Sequence, residues 1–281
     1  MRSGAQPVTD CRSGRVPPTQ PAEIFLFCAC SSRLDPLPWR LHSSYNFGDP
    51  SSERKYFRRL AHGLRGVRFF FAPKMPIIPQ YKLTYFNAMG RAEPTRMLFA
   101  YSGVDYKDER IEKEQWPAMK SKFPFGQLPV LEVDGKTLAQ SHAIEKFLAR
   151  TFGMAGGDDW EAAKIDELVF GVEDLVQKTT AWFKEEDEKK KIEIFRTLVE
   201  TEIDPFLGRY QNILKENGTG FFIGDKMTLA DISVFCLLHY FSCKLLPGHL
   251  EKYPELKAFV ASVASNPKIK EWIDKRPKTD V

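Results

Sequence analysis

Along residues 81–150 the hydrophobic positions change period several times. Tyr81-Lys82-Leu83-Thr84-Tyr85-Phe86 alternates, as a strand with one buried face does. Asn87-Ala88-Met89-Gly90 breaks the alternation, and 91–102 then sets Met97, Leu98 and Tyr101 on one helical face. Pro94 is tolerated there because in the first turn of a helix its missing N–H has no intrahelical partner to lose. Gly103 closes the helix, 104–111 predicts a second strand and 114–122 a short helix. Leu128 to Val133 and Lys136 to Ala139 flank Asp134-Gly135, a two-residue hairpin signal, and Ser141 is expected to cap a helix running to residue 150. The order β-α-β-α-β-β-α describes a small mixed sheet with helices on its faces.

Beyond Gly153, Gly156 and Gly157, which form a linker, only the helical period is present. Ile165, Leu168, Val169, Val172, Leu175 and Val176 share one face, and 192–215 continues in the same manner. Thr228-Leu229-Ala230-Asp231 reads as a capping box, and the segment behind it is apolar nearly all round, as expected of a buried central helix. Two shorter helices follow Pro254 and Pro267. The expected organisation is an extension over 1–75, an α/β domain over 76–155 and an all-α domain over 156–281.

The chain has 281 residues, 43% of them hydrophobic, enough for one large or two modest domains. Its charge is uneven. Residues 1–74 carry 12 Lys and Arg against 5 Asp and Glu, a balance of +7, and the remaining 29 and 32 leave 75–281 at −3. The first segment also holds 8 of the 19 Pro and mixes Gly, Ser and Thr without periodicity, which predicts a disordered extension. Two functional readings compete with that one: an Arg-rich mitochondrial targeting segment, and a basic aromatic patch (Arg54, Lys55, Arg58, Arg59, Arg65 and Arg68 with Tyr56, Phe57 and Phe69–Phe71) for nucleic acid or anionic membrane. Met75 directly precedes the first patterned segment. Because the body is acidic and the basic excess is confined to the extension, no nucleic-acid partner is expected. Five Cys, an odd count at irregular spacing, argue for a reduced, intracellular protein, and the expected localisation is cytoplasmic. No apolar run reaches the roughly 18–20 residues that span a bilayer.

Familiar catalytic signatures are largely missing: there is no Gly-Lys phosphate loop, no HExxH, no GxSxG and no CxxC. Cys28-Ala29-Cys30 reads as incidental, and His142, His239 and His249 as isolated surface or core histidines. Four features nonetheless converge. Tyr85 ends the first strand, where open α/β sheets place ligands. Leu128-Pro129 opens a strand with a proline, as an edge position or a cis bond would allow. Gln140-Ser141 begins a helix, where free N–H groups and the dipole favour a carboxylate. Trp116 and Lys120, four apart on one helical face, offer a stacking surface beside a cation. Each also has an ordinary structural explanation.

Taken together, Lys82-Leu83-Thr84-Tyr85-Phe86, Gly90-Arg91-Ala92-Glu93, Gly126-Gln127-Leu128-Pro129-Val130-Leu131, Ala139-Gln140-Ser141 and Thr228-Leu229-Ala230-Asp231 resemble the sigma-class cytosolic glutathione S-transferases, over residues 76–281. The nematode members are most alike, alongside the glutathione-dependent prostaglandin D synthases. The resemblance implies a thioredoxin-like first domain, an all-helical second domain, a homodimer and no cofactor, glutathione being a substrate. It implies that Tyr85 donates its hydroxyl to the glutathione sulfur and that Arg91 supports the site electrostatically. Trp116 and Lys120 would hold the glycine end, Gln127, Leu128 and Pro129 the cysteinyl backbone, and Gln140 and Ser141 the γ-glutamyl carboxylate. Asp174, with Glu173 beside it, would reach the γ-glutamyl amine of the neighbouring subunit. An apolar electrophile would lie near Phe86, Met89 and 166–184. The implied activity is detoxifying conjugation, with a prostaglandin-type isomerisation or non-catalytic ligand binding as alternatives.

Overall fold

The computed structural model describes residues 79–279. The expectations for the extension, its targeting and patch readings and Cys28-Ala29-Cys30 lie outside the described residues. Four strands, β1 (Tyr81–Phe86), β2 (Lys107–Ile111), β3 (Val130–Val133) and β4 (Lys136–Ala139), form one sheet in the order β2-β1-β3-β4. β1 is parallel to β2 and antiparallel to β3, and β3 is antiparallel to β4. The parallel pair needs a crossover, supplied by α1 (Glu93–Ser102), whereas Asp134-Gly135 joins β3 to β4 with positive φ at both residues, 48° and 79°. This is the expected thioredoxin-like arrangement, completed by α3 (Ser141–Thr151) after a single-turn α2 (Trp116–Met119).

Period-2 alternation decides which face of the sheet is covered. Tyr81, Leu83 and Tyr85 are buried on the side of α1, where Tyr81 meets Phe99 edge-on at 5.2 Å. Several predicted boundaries move. The second strand begins at Lys107 rather than 104, and the helix of 114–122 divides into α2 and a tighter turn at Lys120–Lys122.

The second domain is helical throughout the described residues: α4 (Asp159–Lys178), α5 (Thr180–Lys184), α6 (Glu188–Leu198), α7 (Asp204–Asn217), α8 (Leu229–Tyr240), α9 (Pro254–Ser265) and α10 (Pro267–Lys275). The predicted continuous stretch 192–215 is two helices joined by a wider turn at Val199–Ile203. α8 is the hub: α4, α1 and α9 pack on it, and Ile232, Val234, Phe235 and Leu238 are fully buried. No helix among the described residues is long and apolar enough to cross a membrane.

The start of α8 rests on one carboxylate. Asp231 is completely buried and accepts hydrogen bonds from the backbone N–H of Phe222 (2.8 Å) and Thr228 (2.7 Å) and from the Thr228 hydroxyl (2.7 Å). Burial pushes the Asp231 carboxyl up, and these donors pull against that shift. Asp231→Ala would leave two interior N–H groups unpaired and remove the cap. The expected loss is about 2–4 kcal/mol, measured as a lower urea midpoint at unchanged m-value.

Candidate functional site

The end of β1 is shaped by a glycine. Gly90 has φ +40°, and a Cβ there would stand 2.6 Å from the Tyr85 hydroxyl oxygen, so glycine alone lets the chain pass over that hydroxyl. The next residue closes the contact: the backbone N–H of Arg91 donates to Tyr85 Oη at 3.1 Å. Because the oxygen already accepts, the hydroxyl's own hydrogen is left to donate to something else. Tyr85 itself is 9% exposed, with the Arg96 guanidinium carbon 5.8 Å from its ring centroid.

Arg91 also reaches the second domain. Its guanidinium donates two hydrogen bonds to the Glu173 carboxylate on α4, at 2.8 and 2.7 Å, in fork-to-fork geometry. Glu173 further accepts from Gln177 (3.1 Å) and lies 3.2 Å from His142 Nε2, while His142 Nδ1 is 2.9 Å from Glu145. Burial raises the Glu173 carboxyl, but Arg91, Gln177 and His142 more than offset this and hold it below its ordinary value. His142 is pushed up, chiefly by its bond to Glu145, with desolvation opposing. The histidine that looked isolated in the sequence is the centre of a four-residue charge network, visible only once α3 and α4 are side by side.

Sheet register gathers most of the remaining candidates. Thr84 pairs with Val130 and Val130 with Ala139, which brings Leu128-Pro129 and Gln140-Ser141 level with the end of β1. The Leu128-Pro129 bond is cis, and Gln127 is extended. Phe86 touches the Tyr85 ring on one side and Trp116 on the other, both at 5.5 Å, and Lys120 lies against Gly126.

Ser141 is not the helix cap. Gln140 occupies that position at φ +74°, with no capping bond from its side chain, and its carbonyl accepts from Ile144 N–H at 3.0 Å. Ser141 is the first helical residue and is buried. The first N–H groups of α3 are therefore left for an acceptor from outside the helix. Asp174 is exposed and does not join this cluster within one chain; its neighbour Glu173 turns inward instead. A hollow of about 460 Å³ lies on the other face of the sheet, among Lys82, Thr84, Lys122 and Glu132, away from Tyr85.

Comparison with known proteins gives a consistent picture. The family model for the glutathione S-transferase N-terminal domain matches residues 81–150, and that for the C-terminal domain matches 173–276. The chain is 42% identical to probable glutathione S-transferase 5 of Caenorhabditis elegans over 208 residues, 71% of this chain and 98% of the relative. It is 38% identical to glutathione S-transferase 1 of Ascaris suum over 207 residues, 72% and 99% of the two chains. Among solved structures it is similar to prostaglandin synthase D of Nilaparvata lugens, at 39% identity and TM-score 0.67, over 72% of this chain and all of that one.

Gly90→Ala tests how the hydroxyl is held. The added methyl and the positive φ are expected to cost about 1–3 kcal/mol and to displace the Tyr85 ring. The displacement would be read as a shifted Tyr85 ring resonance in tyrosine-labelled protein, and an unmoved resonance would mean that the turn gives way instead.

Proposed function

The chain belongs to the glutathione S-transferase family, and on that premise we propose that Tyr85 holds the glutathione sulfur as a thiolate for addition to apolar electrophiles. The observation that carries this reading is the Arg91 N–H bond to Tyr85 Oη, which leaves the hydroxyl hydrogen free to serve as a donor. A free thiol has a pKa of about 8.5, so only a few per cent is thiolate at neutral pH. Each unit of depression requires about 1.4 kcal/mol of preference for the anion, and one preorganised O–H donor away from bulk water supplies about one to two units. Tyr85 acts as a donor and need not become a base.

In this proposal the peptide lies across the end of the sheet, where β1 finishes and β3 begins. Leu128 pairs with the cysteinyl backbone as an added strand, flanked by Gln127 and Pro129. Gln140 and Ser141, with the free N–H groups of α3, take the γ-glutamyl carboxylate, and Trp116 and Lys120 take the glycine end. Arg91 adds positive potential beside the thiolate. Glutathione is a substrate here, and the reaction calls for no cofactor. Phe86 and Met89 bound the electrophile's side, where an apolar, adaptable surface suits varied substrates.

The finer assignment is to the sigma class, as a cytoplasmic homodimer, with the glutathione domain at 76–155 and the helical domain at 156–281. Large apolar side chains support a covered face: Phe125 is 77% exposed, Phe170 46% and Phe147 39%. In a dimer, Asp174 would reach the γ-glutamyl amine bound by the partner subunit. A second reading is isomerisation of a prostaglandin endoperoxide, favoured by the similarity to the prostaglandin synthase of Nilaparvata lugens.

Tyr85→Phe is expected to return the pKa of bound glutathione toward that of the free thiol and to lower conjugation about 10–100-fold at neutral pH, with glutathione affinity nearly unchanged. A difference ultraviolet titration of the thiolate band checks this; saturable binding with no band in the wild type would instead indicate a glutathione carrier. Phe125→Ser is expected to weaken dimerisation, measured by sedimentation velocity as a slower species at low concentration.

A further inference from the structure

His142 sits between two carboxylates. Nδ1 is 2.9 Å from Glu145 Oε2 and Nε2 is 3.2 Å from Glu173 Oε2. A neutral imidazole carries one N–H and can donate to one of them; only the imidazolium donates to both. Glu145 has the greater need, being 2% exposed, and among the described residues His142 is the only side chain that hydrogen-bonds it. Glu173 is also held by Arg91 and Gln177. The other charges packed nearby are already matched: Lys146 on α3 pairs with Asp166 on α4 at 2.7 Å, and Phe170 on α4 covers the edge of the imidazole at 5.5 Å. Arg91 and a protonated His142 thus balance Glu145 and Glu173, and a neutral His142 leaves one negative charge unmatched, one turn along α3 from Ser141.

We propose that His142 works as an imidazolium counter-ion to Glu145, a positioning residue that keeps the start of α3 receptive to a carboxylate and steadies the Glu173 end of the Arg91 fork. The proposal rests on reading Gln140-Ser141 as the γ-glutamyl carboxylate site. When His142 loses its proton, the unmatched Glu145 charge opposes the incoming carboxylate. Glutathione affinity therefore falls as pH rises through the His142 pKa, which its two carboxylate neighbours lift above the ordinary 6.5. By linkage, binding the peptide makes His142 hold its proton more tightly.

The test uses S-methylglutathione, whose blocked sulfur removes thiol ionisation from the measurement. Its dissociation constant is measured by calorimetry between about pH 5.5 and 8 in the full chain, in His142→Asn and in Glu145→Gln. Titration of the peptide's own amine is common to all three proteins and cancels in their ratios. The wild type is expected to lose about five- to tenfold more affinity across this range than His142→Asn, in which nothing titrates at this position, the effect of one charge at a partly screened site. Glu145→Gln, with no buried anion to match, is expected to bind more tightly than the wild type at the alkaline end. His142→Asn is expected to bind at pH 5.5 as weakly as the wild type does at pH 8. Parallel profiles for the wild type and His142→Asn would overturn the proposal, as would tight binding by His142→Asn at low pH. A purely structural role for His142 would weaken binding equally at every pH. If His142→Asn does not fold, Glu145→Gln decides alone: binding at pH 8 no tighter than the wild type's would overturn the proposal. No binding at any pH would overturn the glutathione reading itself, whereas saturable binding with no pH-dependent difference would overturn this proposal only.

Discussion

Arg91 is fixed at both of its ends. Its backbone N–H is committed to the Tyr85 hydroxyl at the end of the sheet, and its guanidinium is committed to Glu173 on the longest helix of the second domain. One residue therefore ties the orientation of a hydroxyl to the packing of two domains. The side chain of Arg91 is 44% exposed and that of Glu173 14%, so the ion pair is partly screened and its contribution to stability is modest. Its larger effect is geometric. A bidentate fork tolerates little sliding, and a shift of α4 along its axis would be transmitted through Arg91 to the hydroxyl.

The loop between β1 and α1 needs a second restraint, because Gly90 at positive φ gives it freedom. Arg96 supplies it. That side chain is fully buried and donates to the carbonyls of Ala88 (2.6 Å) and Met89 (3.4 Å), while its Nε donates to Asp108 on β2 (3.2 Å). Glu93, also buried, lies 3.5 Å from Arg96 and accepts from Trp272 Nε1 at 3.0 Å and from Arg276 at 2.5 Å. Buried ion pairs often contribute little net stability, since desolvation cancels much of their attraction. What this one does is fix register. It locks α1 to β2 on one side and to α10 on the other, and the loop that covers Tyr85 is suspended between them.

Much of the fold was legible because the elements that form the sheet and its hairpin carry their own local signals: alternation over 81–86, Asp134-Gly135, Pro94 in a first turn and the Thr228/Asp231 box. Boundaries drifted where a local signal was overruled. Residues 104–106 look strand-like, but Tyr106 is drawn into a stack with Phe99 at 4.2 Å and does not pair with β1. Ser141 looked like a cap because serine so often is one, yet the positive φ at Gln140 moves the cap position back by one residue. The residues offered for the candidate site came from local features and from the family resemblance, and the register then brings Leu128-Pro129 and Gln140-Ser141 level with the end of β1. The charge network could not be found in that way. His142, Glu145 and Glu173 belong to two helices whose facing surfaces are set by packing on α8, and nothing in a linear pattern distinguishes Glu173 turning inward from Asp174 turning out.

That difference has a chemical consequence for the whole edge. The candidate carboxylate site at the start of α3 is close in sequence to Glu145, a buried anion, and an anion so placed works against the helix dipole that makes the N-terminus attractive to a carboxylate. A site with Glu145 and no neighbouring cation would cancel its own field. Here the cancellation is avoided by two cations from different elements, His142 on the same helix and Arg91 from across the domain boundary, which share Glu173 between them. Arg91 is permanently charged, whereas a histidine is not, so the balance at this edge has one fixed partner and one that responds to protons. In the proposed function, thiol chemistry at Tyr85 would favour higher pH, because the thiolate fraction rises with it, while the charge balance at α3 would favour lower pH. The two requirements fall on the central cysteinyl and the γ-glutamyl end of one peptide, which would give an optimum bounded on each side by a different residue, Tyr85 on the acid side through its donor strength and His142 on the alkaline side through its proton.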